Sequence, residues 1–161
     1  MLDGWRNPQT ESLPTAEMGK RIYKLTNFQQ RQPSSADNSS LLASSQLQEQ
    51  LFPGTQEIGT QEVSVMTLDS FIGKWKSYSR ILLKIDVQGV ELSVLKGATE
   101  TLKRCTHVYV ECSQVELYVG QALYPDVATF LEQQGYRLQG RCNETIRDGK
   151  LIQADYLFVL K

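Results

Sequence analysis

Beyond residue 80 the apolar positions fall into strand-length runs and helix-spaced stripes in alternation. Arg80-Ile81-Leu82-Leu83-Lys84-Ile85-Asp86 is a nearly continuous β-branched and leucine run, the pattern of a strand covered on both faces in a parallel sheet. It closes on an acid, and Gly89 follows. From Glu91 the apolar positions become Leu92, Leu95, Ala98 and Leu102, with Val94 beside them. That spacing predicts one helix from Glu91 to Lys103, with an acid in its first turn and Lys103 and Arg104 in its last. His107-Val108-Tyr109-Val110-Glu111-Cys112 predicts a second buried strand, again with an acid at its carboxyl end. Tyr124-Pro125-Asp126 opens another helix, with Pro125 suited to its first position, Val127, Phe130 and Leu131 on one face, and Gly135 as its stop. Tyr136 to Cys142 and Asp155 to Leu160 predict two last strands, antiparallel across the Asp148-Gly149 turn signal. The order strand, helix, strand, helix, strand, strand is that of an α/β layered sheet.

The first 62 residues are different material. They hold 28 Gln, Ser, Thr, Asn and Pro, against 21 in the 99 residues that follow, and four of the five prolines. Prolines 8, 14, 33 and 53 interrupt any long element, so this part cannot hold a large core alone. Within it, the alternation from Arg21 to Phe28 predicts a short edge strand, and Ser40 to Leu51 predicts a helical turn or two. Residues 1–20 read as a disordered tail, and residues 21–161 as the folded domain.

At 161 residues the chain is long enough to bury one core. Seventeen Lys plus Arg stand against 18 Asp plus Glu, a balance that argues against a nucleic-acid clamp or a polybasic membrane anchor. The start has an acid at Asp3 and no apolar run behind it, so no secretory signal is expected, and no stretch approaches a membrane span. Cys105, Cys112 and Cys142 form no CxxC pair, and their odd number fits a reducing compartment. The expected setting is therefore cytoplasmic, and no metal-ligand spacing is present.

In open α/β sheets ligands lie beyond the carboxyl ends of the strands. Asp86 and Glu111 occupy those ends, so neighbouring strands would bring the two carboxylates to one crevice rim, where they can orient a hydroxyl or accept its proton. Asp86 also suits the cap of the helix that follows. Gln88 offers an amide to a polar ligand, and Gly89 permits a tight turn or close backbone approach. Glu91 can face the crevice or serve only as a first-turn acid. His107 lies at the amino end of its strand, away from the ligand side. Cys112 has no basic neighbour and reads as a small buried thiol, while Trp75, Tyr109, Tyr118, Tyr124 and Tyr136 read as core or lid packing.

Several strings resemble one known family. Met66-Thr67-Leu68-Asp69-Ser70-Phe71, Leu83-Lys84-Ile85-Asp86-Val87-Gln88-Gly89-Val90-Glu91-Leu92 and Leu95-Lys96-Gly97-Ala98 are similar to the FkbM family of S-adenosylmethionine-dependent methyltransferases, with Asn38-Ser39-Ser40-Leu41-Leu42 ahead of them. The resemblance implies a partial Rossmann-like class I methyltransferase sheet, in which Arg80–Asp86 is the fourth strand and His107–Cys112 the fifth. It implies O-methylation of a hydroxyl on a sugar, glycan or small metabolite, with Asp86 and Glu111 as catalytic residues, Gln88, Gly89 and Glu91 at the substrate, and S-adenosyl-L-methionine as cofactor. The family's glycine-rich turn after its first strand and the ribose-holding acid after its second have no counterpart here. The chain thus resembles the carboxyl-terminal half of such an enzyme, a truncated or split form or else a non-catalytic remnant that binds or oligomerises. An edge left open beside Arg80–Asp86 would be capped by Ile22–Phe28, or would pair with a second copy or a complementing chain.

Overall fold

The computed structural model describes residues 22–25, 40–55, 57, 59–71 and 80–161. Residues 1–20, Asn38, Ser39 and Trp75 lie outside them. The principal sheet has four strands, β3 (Leu82–Ile85), β4 (His107–Ser113), β5 (Tyr136–Arg147) and β6 (Lys150–Leu160), in the order β3-β4-β6-β5. β3 runs parallel to β4, and β6 is antiparallel to both β4 and β5. The hairpin joining β5 to β6 turns at Asp148 (φ 49°) and Gly149 (φ 72°), the left-handed pair that suits a two-residue turn. A separate two-stranded antiparallel sheet pairs β1 (Ile22–Leu25) with β2 (Gln61–Ser64). Of the two fates expected for the edge beside Arg80–Asp86, capping by the amino-terminal strand is not what the described residues show: that strand pairs with β2, and β3 is the edge strand of the four-stranded sheet.

Helices α3 (Glu91–Lys96), α4 (Thr99–Leu102) and α5 (Tyr124–Gln133) accompany this sheet. Their apolar stripes meet alternate strand residues in one core, in which Ile85, Val108, Val110, Tyr156 and Phe158 pack with Leu95, Leu102, Val127 and Leu131. Burying such a set is the main favourable term for the fold. α5 begins as its sequence requires, with proline in the first turn and the Asp126 carboxylate accepting from the Leu123 N–H at 3.2 Å, and it stops at Gly135 (φ 88°). The first residue of β5, Tyr136, is wholly buried, and its hydroxyl donates to the carbonyls of Leu102 and Cys105 at 2.7 and 2.9 Å, which satisfies the end of α4.

One long helix from Glu91 to Lys103 is not what forms. The backbone breaks at Gly97 and Ala98 and restarts as α4. The cause lies in α2 (Leu68–Phe71), about 30 residues upstream. The Asp69 carboxylate accepts the N–H groups of Glu100 (3.0 Å) and Thr101 (2.8 Å) and the hydroxyls of Thr99 and Thr101, so it caps α4 from outside. Burial would raise the Asp69 pKa, but these bonds outweigh it and hold it below its ordinary value. At the break a Cβ on Gly97 would lie 3.2 Å from the Thr67 methyl, so a larger residue there would push Thr67 aside by a few tenths of an ångström.

Helix α1 (Gln46–Leu51), capped by the Ser45 side chain, carries a smaller apolar cluster. Leu47, Leu51, Phe52 and Leu42 pack there on Leu117, Tyr118 and Ile152.

Candidate functional site

Asp86 directly follows β3, as the sequence predicts, whereas Glu111 lies inside its strand, and the surroundings of both differ from the sequence reading. β3 was read as covered on both faces. Among the described residues only one face of the sheet is covered, and Leu82, Lys84 and Asp86 are exposed on the other. Along β4 the pattern repeats, with Val108, Val110 and Cys112 buried and His107, Tyr109 and Glu111 half-buried on the open side. Because Lys84 pairs with Tyr109 and Ile85 with Val110, the next step brings Asp86 beside Glu111. Glu111 does not close its strand, which continues through Ser113; it stands inside β4, directly opposite Asp155 of β6.

Asp86 is not the helix cap. α3 begins at Val90 with no side-chain cap, and the Asp86 carboxylate instead accepts from Lys84 Nζ (3.4 Å) and from the Gln88 amide (3.2 Å). The capping task falls to Glu91, which is buried and whose Oε1 accepts the Gly89 N–H at 2.8 Å. Burial raises the Glu91 pKa and the Asp86 charge adds to it, against the lowering by the Gly89 amide. Of the two roles open to Glu91, its contacts match the local structural one.

The turn between strand and helix is held by distant residues. Gln88 (φ 52°) and Gly89 (φ 103°) are both left-handed, a conformation costly for Gln88 and natural for Gly89. Ser40 Oγ donates to the Gln88 carbonyl at 2.6 Å, and Tyr118 Oη donates to Gln88 Oε1 at 2.8 Å. A Cβ on Gly89 would lie 3.0 Å from Tyr118 Cβ, so glycine is needed for packing as well as for φ. Gln88 therefore has its amide on Asp86 and its side-chain oxygen on Tyr118, which fixes the rim.

Electrostatically the rim is acidic. Glu111 is pushed up to about 7, first by burial, then by the charges of Asp86, Asp155 and Glu91, with Lys84 opposing them. A carboxyl group balanced there exchanges a proton readily near neutral pH. Asp155 was not among the residues singled out in the sequence. Its Oδ2 accepts from Tyr109 Oη (2.7 Å) and from the Asn143 amide (2.6 Å), and Cys142 Sγ lies 3.4 Å from the same phenol. Tyr109, read as packing, is instead part of the open face; with Cys142 and Asp155 as hydrogen-bond partners its phenol stays protonated well above its ordinary range. Tyr118 and Tyr136 are buried, and Tyr124 stacks on Tyr156 with ring centroids 4.1 Å apart. Cys112 is buried, and burial raises its thiol pKa, so it is no nucleophile.

Among the described residues no three of His, Cys, Asp and Glu are grouped to hold a metal ion. No helix among them is long and apolar enough to cross a membrane.

Comparison with protein families matches residues 6–138 to the methyltransferase FkbM domain. No curated protein and no solved structure matches the chain.

Proposed function

The chain belongs to the FkbM methyltransferase family, and from that premise we propose that it serves the S-adenosylmethionine-dependent O-methylation of a sugar, glycan or small metabolite. The observation that carries this reading is the pair Asp86, just past the end of β3, and Glu111, next to it in register inside the parallel strand β4, both on the open sheet face. On this reading Glu111 takes the proton of the acceptor hydroxyl, and Asp86, steadied by Lys84 and Gln88, orients that hydroxyl. The four strands β3, β4, β6 and β5 are read as the second half of a Rossmann-like class I sheet.

The cofactor itself finds no holder among the described residues. Of their glycines, Gly89 is the one in the turn that follows β3, and it is already filled: Glu91 takes its N–H and Tyr118 stands over its α-carbon. The cradle is assigned to a complementing segment or chain. The edge of β3 suits such a partner, since among the described residues its backbone has a strand neighbour only on the β4 side.

An extract of cells expressing the chain, supplied with methyl-labelled S-adenosylmethionine and a panel of sugars and hydroxylated metabolites, tests the proposal. Label should enter an acceptor and be lost with Asp86→Asn. Equal labelling by both chains, or none by either, defeats it.

A second reading, a non-catalytic module that binds or oligomerises, is favoured by the filled Gly89 turn. Label transfer in the extract separates the two, and calorimetry and light scattering on the purified chain test the open edge that both invoke. Weak cofactor binding with self-association fits an incomplete enzyme joined through β3, whereas a monodisperse monomer with micromolar binding excludes both the missing cradle and the sticky edge.

A further inference from the structure

Two like charges directly opposite in an antiparallel pair are unfavourable, with Cβ atoms about 4.5–5.5 Å apart. β4 and β6 nevertheless place Glu111 opposite Asp155. Neither is ion-paired: the ion pairs among the described residues are Lys84 with Asp86, Lys103 with Glu100 and Arg141 with Glu144, and Lys84 offsets the repulsion at Glu111 only in part. The two acids are not equivalent. Asp155 has two donors on one oxygen, Tyr109 Oη and Asn143 Nδ2, and Asn143 also donates to Tyr109 Oη at 3.1 Å. Asn143 reaches this place through a left-handed backbone (φ 50°) in a stretch where the β5–β6 register slips. Two donors on one oxygen hold the Asp155 carboxylate in a single orientation. Among the described residues Glu111 has no such donor on its oxygens, and it is half-buried.

We infer that Asp155 is a positioning residue for proton transfer: clamped by Tyr109 and Asn143 across from Glu111, it is the fixed negative charge against which the Glu111 carboxylate holds a proton. The inference rests on the methyl-transfer reading, because a proton acceptor at the rim has a purpose only if a hydroxyl must be activated there. Asp155 does not reach the acceptor. It acts through Glu111, so that the proton leaving the hydroxyl moves to a Glu111 oxygen and is held there until it passes to water. The other groups facing Glu111 are Asp86 and Lys84 of β3, Glu91 of α3, and Tyr109 in its own strand. Of the acids among them, Asp86 carries the larger like-charge effect and lies on the acceptor side, while Asp155 lies on the far side.

The test is the titration of Glu111 in the full chain, followed by carboxyl-carbon NMR with glutamate labelling and assigned by loss of the signal in Glu111→Gln. In the unaltered chain the midpoint is expected near 7. In Asp155→Asn it should fall by roughly half a unit or more, the size expected on removing one like charge from a partly solvated neighbour. Asp155→Glu, which keeps the charge, should restore most of the shift. Asp155→Ser gives the same reading should the asparagine variant not fold. A midpoint that stays in place without the Asp155 charge, or that already lies at the ordinary glutamate value in the unaltered chain, overturns the inference. The measurement needs no methyl transfer, so a midpoint that moves in a chain with no transfer supports the pairing and defeats the functional reading instead.

Discussion

The two faces of the four-stranded sheet are made from the same strands and have opposite contents. On β4, Val108, Val110 and Cys112 enter the core beneath α3 and α5, while His107, Tyr109 and Glu111 stand on the open side. On β6, Tyr156 and Phe158 are covered, whereas Asp155 is turned to Tyr109. The alternation of side chains along a strand separates stability from chemistry at intervals of one residue. The lesson is that substitutions one position apart should differ in kind: a change on the covered face unfolds the protein, and a change on the open face alters its proton chemistry.

Four experiments sharpen that contrast. The largest expected effect is on the covered side, where Leu95 of α3 is fully buried. Leu95→Ala should lower unfolding free energy by about 2–5 kcal/mol in denaturant titration. A loss under about 0.5 kcal/mol, ordinary for surface changes, would mean that α3 does not cover the sheet. Next is Asp69→Ala, which removes the external cap of α4 and should cost about 0.5–2 kcal/mol. Since the Asp69 pKa is lowered in the folded protein, its contribution is present above the unfolded value and disappears as pH falls through the folded one. The variant's deficit should accordingly shrink in acid, and a deficit constant with pH would dissociate the cap from the charge.

On the open side the sign reverses. Glu111 is raised from 4.5 to about 7, so folding takes up a proton between those values. Its contribution is greatest below the lower value and is lost as pH rises through the upper one. Glu111→Gln should therefore flatten the decline in melting temperature between pH 5 and 8 and be the more stable chain at the alkaline end. A parallel decline in both chains would place Glu111 in an ordinary solvated setting. The smallest expected effect on stability is that of Asp86→Asn, within about 0.5 kcal/mol, because the group is exposed and caps no helix. A larger loss would show that the rim, too, holds the fold together.

Much of the covered face was legible in sequence. The run around Leu83 and Ile85, the stripe of Leu95 and Leu102, the proline start and glycine stop of α5, and the Asp148-Gly149 hairpin all rest on neighbours a few residues apart. What was not legible depends on long-range placement. The restart after Gly97 is capped from outside by Asp69, which no local periodicity reports. Tyr109 and Glu111 alternate with valines, a visible sign of a half-open strand, yet aromatic residues are so often buried that Tyr109 read as core. Asp155 shared such a sign, falling between Ala154 and Tyr156 in a strand of alternating burial. Its partnership with Glu111 is a matter of register across 44 residues, and only the assembled sheet supplies it.

The turn at Gln88 and Gly89 has a consequence for the order in which the molecule assembles. Its left-handed backbone is stabilised by Ser40, 48 residues earlier, and by Tyr118, 30 residues later. These contacts close loops as long as those of the sheet, 44 residues from Glu111 to Asp155, but with single hydrogen bonds in place of a strand-length ladder, so they follow the sheet in folding. The rim should thus be the last part of the domain to set and among the first to open, while the Val108 and Val110 amides inside the sheet stay closed. Hydrogen exchange makes the ordering visible at a single amide: the Gly89 N–H, sheltered by Glu91, should exchange with the residue 40 and 118 segments and ahead of β4.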